Sequence, residues 1–160
     1  MLIRDFDQAD LPRLIELTID TFRPFFEESL RPLVGEQVFD VQHGDWRGDY
    51  RVEVPKLHDP RQHKHVAVAE TAGTVVGYIG WRADPAAGYG TVEMLAIASG
   101  HRRAHVGTAL CEYAFGELRQ AGAKMVEIGT GGDAFHAPAR ALYESLGCVK
   151  LPTAVYFREL

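Results

Sequence analysis

Cysteine is scarce in this chain: 160 residues hold two, Cys111 and Cys148. Two thiols cannot build the disulfide framework of small secreted domains, so both read as small buried hydrophobes rather than cross-links or nucleophiles. No apolar run approaches the roughly 20 residues that a membrane helix needs. The opening MLIRDFDQAD carries acids where a secretion signal has a basic end and an apolar stretch. A cytoplasmic protein with no membrane partner is expected. Cations are outnumbered as well: 17 Lys and Arg against 22 Asp and Glu give a formal net charge of −5. That excludes nucleic acid as a main partner and leans, weakly, toward a cationic one. His63 and His65 flank Lys64 and could share one face of a strand, with His58 nearby, but nothing supplies a convincing third and fourth ligand, so no metal is expected. Internal repeats and low-complexity stretches are missing too. At this length and with charged residues at 24%, residues 1–160 read as one globular domain able to bury a core.

What is present is a clear alternation of element types. Leu2-Ile3-Arg4 reads as a short opening strand. Asp7 can cap a helix whose buried face is Leu11, Leu14, Ile15, Thr18, Ile19 and Phe22, and Pro24 should end or kink it. A second, shorter helix is expected from Phe25 to Leu33. Residues 36–64 resist assignment, apart from a helix suggested between Asp45 and Leu57. VAVAE and VVGYIGW flank a turn at Gly73 and predict a β-hairpin. After the DPAAGYG turn comes another apolar strand, Thr91 to Ile97, interrupted by Glu93 alone. A helix follows, then a strand over Met125–Ile128, which makes a parallel crossover. A helix over Ala137–Leu146 and two last strands, Cys148–Lys150 and Ala154–Phe157, complete the pattern.

The join between the Thr91 strand and its helix is basic: Ser-Gly-His-Arg-Arg-Ala-His over residues 99–105. Free N–H groups and the positive end of the helix dipole at Gly107-Thr108 favour an anion there. Arg102, Arg103 and His105 add side-chain donors. By themselves these features fit either a phosphate-holding loop or an ordinary basic turn.

This stretch resembles motif A of the GNAT superfamily of acyl-CoA-dependent N-acyltransferases. The family pattern R/Q-x-x-G-x-G/A reads here Arg102-Arg103-Ala104-His105-Val106-Gly107, with His105 in place of the first glycine. A second resemblance, to motif B (N-x-x-A-x-x-L-Y-x-x-x-G-F), runs from His136 to Cys148. Ala139, Leu142, Tyr143 and Gly147 agree with it, while His136 replaces the asparagine and Cys148 the phenylalanine. The order of elements matches the family over nearly the whole chain. The resemblance implies an α/β (α+β) GNAT fold: a mixed central sheet of about six to seven strands, about four helices on both faces, and strands four and five parallel and splayed.

It further implies acetyl-CoA as co-substrate, with its diphosphate at the amides of Arg103, Ala104, His105, Val106, Gly107 and Thr108 and the side chains of Arg102 and Arg103 beside them. Leu95, Ala96 and Ile97 would run beside the pantetheine arm, the Ile97 amide serving the oxyanion, and His136 and Ala139 would border the cofactor. Transfer to an amine requires a neutral nucleophile, and deprotonating a lysine-like amine at pH 7 costs about 4–5 kcal/mol. Glu93, the one charge in its strand, is the candidate base, with Asp133 and Glu127 in reserve. Period-two alternation would set Glu93, Leu95 and Ile97 on one face. Tyr143 is the candidate acid for the leaving thiolate. The expected function is acetyl transfer to a primary amine, on a small molecule or a peptide, by direct attack in a ternary complex. The alternative is a catalytically silent acyl-CoA-binding module, favoured if Glu93 is held in a salt bridge. A homodimer rests only on the family's habit.

Overall fold

Five strands form one sheet in the order of the chain: β1 Leu2–Asp5, β2 Lys64–Thr71, β3 Thr74–Asp84, β4 Tyr89–Ile97 and β5 Met125–Ile128. The computed structural model describes all 160 residues. β1 to β4 pair antiparallel, and β4 pairs with β5 in parallel. The β2–β3 turn holds Ala72 and Gly73 at φ of 51° and 76°, the twist a two-residue hairpin needs. In β2, Val66 to Ala69 are all buried. Such unbroken burial means both faces of the sheet are covered.

The coverage comes from two helices on opposite faces. Helix α1, Leu11–Pro24, lays Leu14 and Leu17 on Val66, Val68 and Tyr78. After Pro24 the helix continues as a single π-helical stretch, Phe25–Leu30, into the short α2, Arg31–Val34. Proline supplies no N–H to the preceding turn, and the wider turn absorbs the missing bond. The unassigned 36–64 region folds into α3, Glu36–His43, and α4, Trp46–Glu53. These two bury Phe39 and Trp46 against Phe26, with Phe26 and Trp46 stacked 4.6 Å apart. On the other face lies α5, Val106–Gln120, whose Leu110, Cys111, Ala114 and Leu118 pack on Ala67, Ala69, Ile79 and Trp81. Helix α6, Ala137–Ser145, joins the α5 side through Tyr143 and Leu142.

The sheet has five strands, not six to seven. Neither expected final strand forms, and residues 149–160 carry no regular structure and lie exposed. Their composition suits a strand, with Val149, Leu151, Val155, Tyr156 and Phe157. A strand, however, is defined by its partner, and residues 149–160 pair with no edge of the sheet.

Candidate active site

The parallel pairing of β4 and β5 ends at Val92 and Ile128. β4 runs on for five residues, Glu93 to Ile97, with β3 on one side and nothing on the other. The strands therefore open into a cleft at their C-terminal ends, where ligands collect in sheets of this kind. The amide of Ala98 donates to the Val76 carbonyl on β3 at 2.8 Å. By strand alternation the amides of Leu95 and Ile97 point the other way, into the opening. The Ile97 carbonyl also faces outward, taking contacts from Arg102 Nε at 3.4 Å and Thr21 Oγ1 at 3.5 Å.

Glu93 stands at the first unpaired position of this arm. It is also a bulge residue: Trp81 pairs with Val92 and Gly80 with Met94, so Glu93 has no partner on β3. The bulge overturns the expectation that Glu93 shares a face with Leu95 and Ile97, because one extra residue shifts the alternation. Leu95 and Ile97 join Val92 on the α5 side. Glu93 turns to the α1 side, toward Lys64 Nζ at 3.5 Å and Arg82 Nε at 3.6 Å. Its Oε2 is buried and accepts no hydrogen bond. The nearest positive charge to that atom is Lys64 Nζ, so the carboxylate is held by long ion pairs rather than by hydrogen bonds.

The basic loop lies just beyond Ile97. Arg103 and His105 both adopt left-handed backbone, at φ of 63° and 58°. His105 is thus in the conformation that the pattern's first glycine supplies freely, and histidine is among the residues that tolerate it. Gly107 is needed for a different reason. A Cβ there would come within 2.9 Å of Leu142 and 3.1 Å of Ile97, so the glycine lets α5 approach α6 and the end of β4. None of the six amides from Arg103 to Thr108 has a partner in the protein; the first bonded one is Ala109, to His105. Consecutive free N–H groups at the start of a 15-residue helix, with exposed Arg102 and Arg103 beside them, are the donor set that could hold an anion.

The family model of the acetyltransferase (GNAT) family matches residues 17–148. The chain belongs to the GNAT family. No curated protein sequence matches it, but solved structures do. An aminoglycoside 6'-N-acetyltransferase from Acinetobacter haemolyticus superposes with a TM-score of 0.67 at 18% identity, covering 100% of this chain and 99% of that one. A ribosomal-protein-alanine N-acetyltransferase from Brucella melitensis gives 0.64 at 23% identity, over 92% and 83%. An aminoglycoside 6'-N-acetyltransferase solved with coenzyme A gives 0.57 at 21%, over 81% and 62%. These likenesses establish the fold.

In this GNAT chain, Tyr143 is not beside Glu93. It is buried on the α5 side of the sheet, next to Cys111 and Cys148, and burial raises its hydroxyl well above the usual tyrosine range. Burial likewise pushes the Cys111 thiol up to about 12, which fits a core role. Glu127 is exposed and takes a hydrogen bond from the Tyr89 hydroxyl at 2.7 Å, away from the cleft. Asp133 is bound to its neighbours: it accepts from His136 Nδ1 at 2.7 Å and from the His136 amide at 3.0 Å. Together with Arg140, that histidine holds the Asp133 carboxyl below the usual range. Ala139 is half-buried against the α5-side core.

Two features of the GNAT site were not legible. Lys64 and Arg82 reach Glu93 only because β2 and β3 pair them across the hairpin, and a bulge at Ala69–Glu70 disguises that register. The aromatic wall of Phe22, Phe25 and Phe135 forms where the π-helical turn meets the loop after β5, with Phe25 and Phe135 rings 5.6 Å apart. The hydrophobic residues gave a signal, but nothing in their spacing joined positions over 100 residues apart.

Proposed function

We propose that the protein is an acetyl-CoA-dependent N-acetyltransferase acting on a primary amine through direct attack in a ternary complex. The observation that carries this reading is the juxtaposition at the open arm of β4: two outward amides, Leu95 and Ile97, a carboxylate at the bulge, and an anion cradle at α5. The diphosphate of coenzyme A suits the amides of Arg103 to Thr108 and the guanidinium groups of Arg102 and Arg103. Its pantetheine arm then lies along Leu95 to Ile97, with His136 and Ala139 bordering the other bank. The acceptor enters from the α1 side, past Phe22, Phe25 and Phe135, to reach Glu93.

The amine gives its proton to Glu93, directly or through one water, and its nitrogen lone pair attacks the thioester carbonyl carbon. The Ile97 amide stabilises the oxyanion, a type of donor worth about 3–4 kcal/mol. The C–S bond breaks, the acetyl group stays on nitrogen, and the thiolate leaves, with Tyr143 as its proton or hydrogen-bond donor from the opposite face of the sheet. The acceptor is small or peptidic; neighbours named for aminoglycosides and for a ribosomal protein's alanine support both classes.

A second reading has its own observation. Lys64 and Arg82 flank Glu93, and a carboxylate engaged with two cations competes for its place with an incoming ammonium. That arrangement favours a silent acyl-CoA-binding module. Glu93→Gln separates the two on an amine that the wild type acetylates. As base, Glu93 gives a loss in turnover of about 10²–10⁴, lessening at high pH, with coenzyme A affinity unchanged by calorimetry. Full activity of Glu93→Gln at pH 7 would remove Glu93 as base and pass the role to Asp133 or a water chain. Tight coenzyme A binding with no amine acetylated across a broad panel would favour the silent module.

A further inference from the structure

Glu93 is outnumbered. Lys64 Nζ stands 3.5 Å from one of its carboxylate oxygens and Arg82 Nε 3.6 Å from the other. Both separations exceed the roughly 2.7–2.9 Å of a charge-assisted hydrogen bond. Glu93 is also the only acid within ion-pair distance of either cation. The sheet itself forces the two cations together: Lys64 lies directly opposite Arg82 on the β2–β3 ladder, and the bulge turns Glu93 toward the same face. Like charges directly opposite one another on a ladder are destabilising. One carboxylate offsets that repulsion in part and leaves a net positive charge where the acceptor has to present its nitrogen.

The positive lining continues past Lys64. That lysine also borders a polar recess of about 490 Å³, whose walls include Lys56, His58, Arg61 and Gln62, with Asp59 as its one acid. Lys56 is paired with Glu53 at 2.7 Å, and Arg61 lies 3.7 Å from Asp59. Lys64 and Arg82 therefore remain as the pair with no acid but Glu93. The Lys64 side chain is 23% exposed and the Arg82 side chain 52%, so one is largely withdrawn from water and the other is open to a ligand. In a chain with a net charge of −5, a cationic wall beside the candidate base is a local feature, not a general one.

We propose that the acceptor amine carries an anionic group, a carboxylate or a phosphate, close to its nitrogen, and that Lys64 and Arg82 bind that group. Binding is then an exchange of partners. The acceptor's anion takes Lys64 and Arg82, and its ammonium takes their place beside the Glu93 carboxylate, which removes the proton. Every charge keeps a partner throughout, as partly buried charges require. A polycationic acceptor brings no anion to the two cations and is repelled by them. The contacts that compete with a simple ammonium for Glu93 thus select an amine with its own negative charge. Free amino acids and phosphate esters of amino alcohols have this chemistry. The fate of the amine rests on the acetyltransferase reading; the anion site does not, because it is read in binding alone.

Matched pairs of probes test this on the full wild-type chain with coenzyme A in excess. Free amino acids are compared with their C-terminal amides, and phosphoethanolamine with ethanolamine, so that the two sources of anion are read separately. In calorimetry the anionic member of at least one kind of pair should bind roughly tenfold or more tightly than its neutral counterpart, with the gap narrowing as salt rises. Turnover of acetyl-CoA, read as free thiol, should follow the same order in kcat/KM. An amino-acid amide has the more easily deprotonated amine, so a preference for the acid cannot come from basicity. Arg82→Gln, at a half-exposed position, should bring the binding ratio to within about threefold, and Lys64→Gln should do the same. Equal binding of both members, binding of neither, or a preference that both variants leave intact would overturn the proposal. Acetylation of the neutral probes in that case would keep the acetyltransferase reading without it. An anion preference in binding with no probe acetylated would uphold the site and count against the acetyltransferase reading.

Discussion

The half of the sheet from β1 to β4 and the part of the chain that follows β4 treat their backbones in opposite ways. In the first half, antiparallel ladders satisfy the N–H and C=O groups, and helices cover both faces; Ala67, Val68, Tyr78 and Ile79 are wholly buried. After β4, six amides before and in the first turn of α5, the outer edge of β5 and the whole of residues 149–160 lack partners. Buried backbone groups must be paired within the protein, whereas exposed ones can bond to water or to a ligand. The closed half is a frame; the open part leaves free main-chain groups at the start of α5 and along the outer edge of β5.

Core truncation is the severest test of this contrast. Ile79→Ala removes a fully buried side chain at the centre of β3 and should destabilise by about 2–5 kcal/mol. Met125→Ala on β5, where the side chain is 54% exposed, should stay within about 0.5 kcal/mol. Urea titration of both reads the difference. Equal losses would mean that β5 belongs to the same closed core.

A smaller effect is expected at the frame's own surface. Asp10 takes two hydrogen bonds from Arg4, at 2.8 and 2.9 Å, and one from the Asp7 amide at 2.9 Å. The Arg4 guanidinium holds its carboxyl below the usual aspartate range. A depressed carboxyl contributes stability that is complete above the unfolded value of about 3.9 and is lost as pH falls through the folded one. Asp10→Asn should therefore cost about 1–2 kcal/mol at pH 7, with the gap from wild type closing below about pH 4. A gap that persists in acid would assign the effect to packing rather than charge.

The smallest and opposite change belongs to the open part. His105→Gly relieves a non-glycine residue at φ 58° and should stabilise by about 1 kcal/mol, with coenzyme A binding kept within a few-fold. Destabilisation would show that the imidazole makes up for its backbone. A clear loss of coenzyme A affinity would make His105 a donor to the phosphate.

Much of this was legible in the chain because it depends on neighbours in sequence. The 3.6-residue spacing of Leu11, Leu14, Thr18 and Phe22, the turn at Ala72-Gly73 and the basic run before Gly107 each state a local conformation, and each forms. Motifs A and B identified the family for the same reason, since they lie within single strand–loop–helix units. Residues 36–64 resisted because α3 and α4 are stabilised mainly by Phe39 and Trp46 meeting Phe26, contacts made across elements rather than along one.

What the sequence determined by itself was the order of elements from β2 to α6, the parallel crossover and the chemistry available at the cleft: a cationic loop, a carboxylate in an apolar strand, a tyrosine on α6. What only the tertiary structure decided was which way each of those groups faces. One extra residue at Glu93 turns its carboxylate to the α1 side and leaves Leu95 and Ile97 on the other. The hairpin brings Lys64 and Arg82 beside it, and Tyr143 sinks into the opposite face. The missing final strands follow the same logic. Helical hydrogen bonds close within four residues and can be read locally, whereas a strand exists only where another edge meets it, and no residue in 149–160 encodes where that edge is.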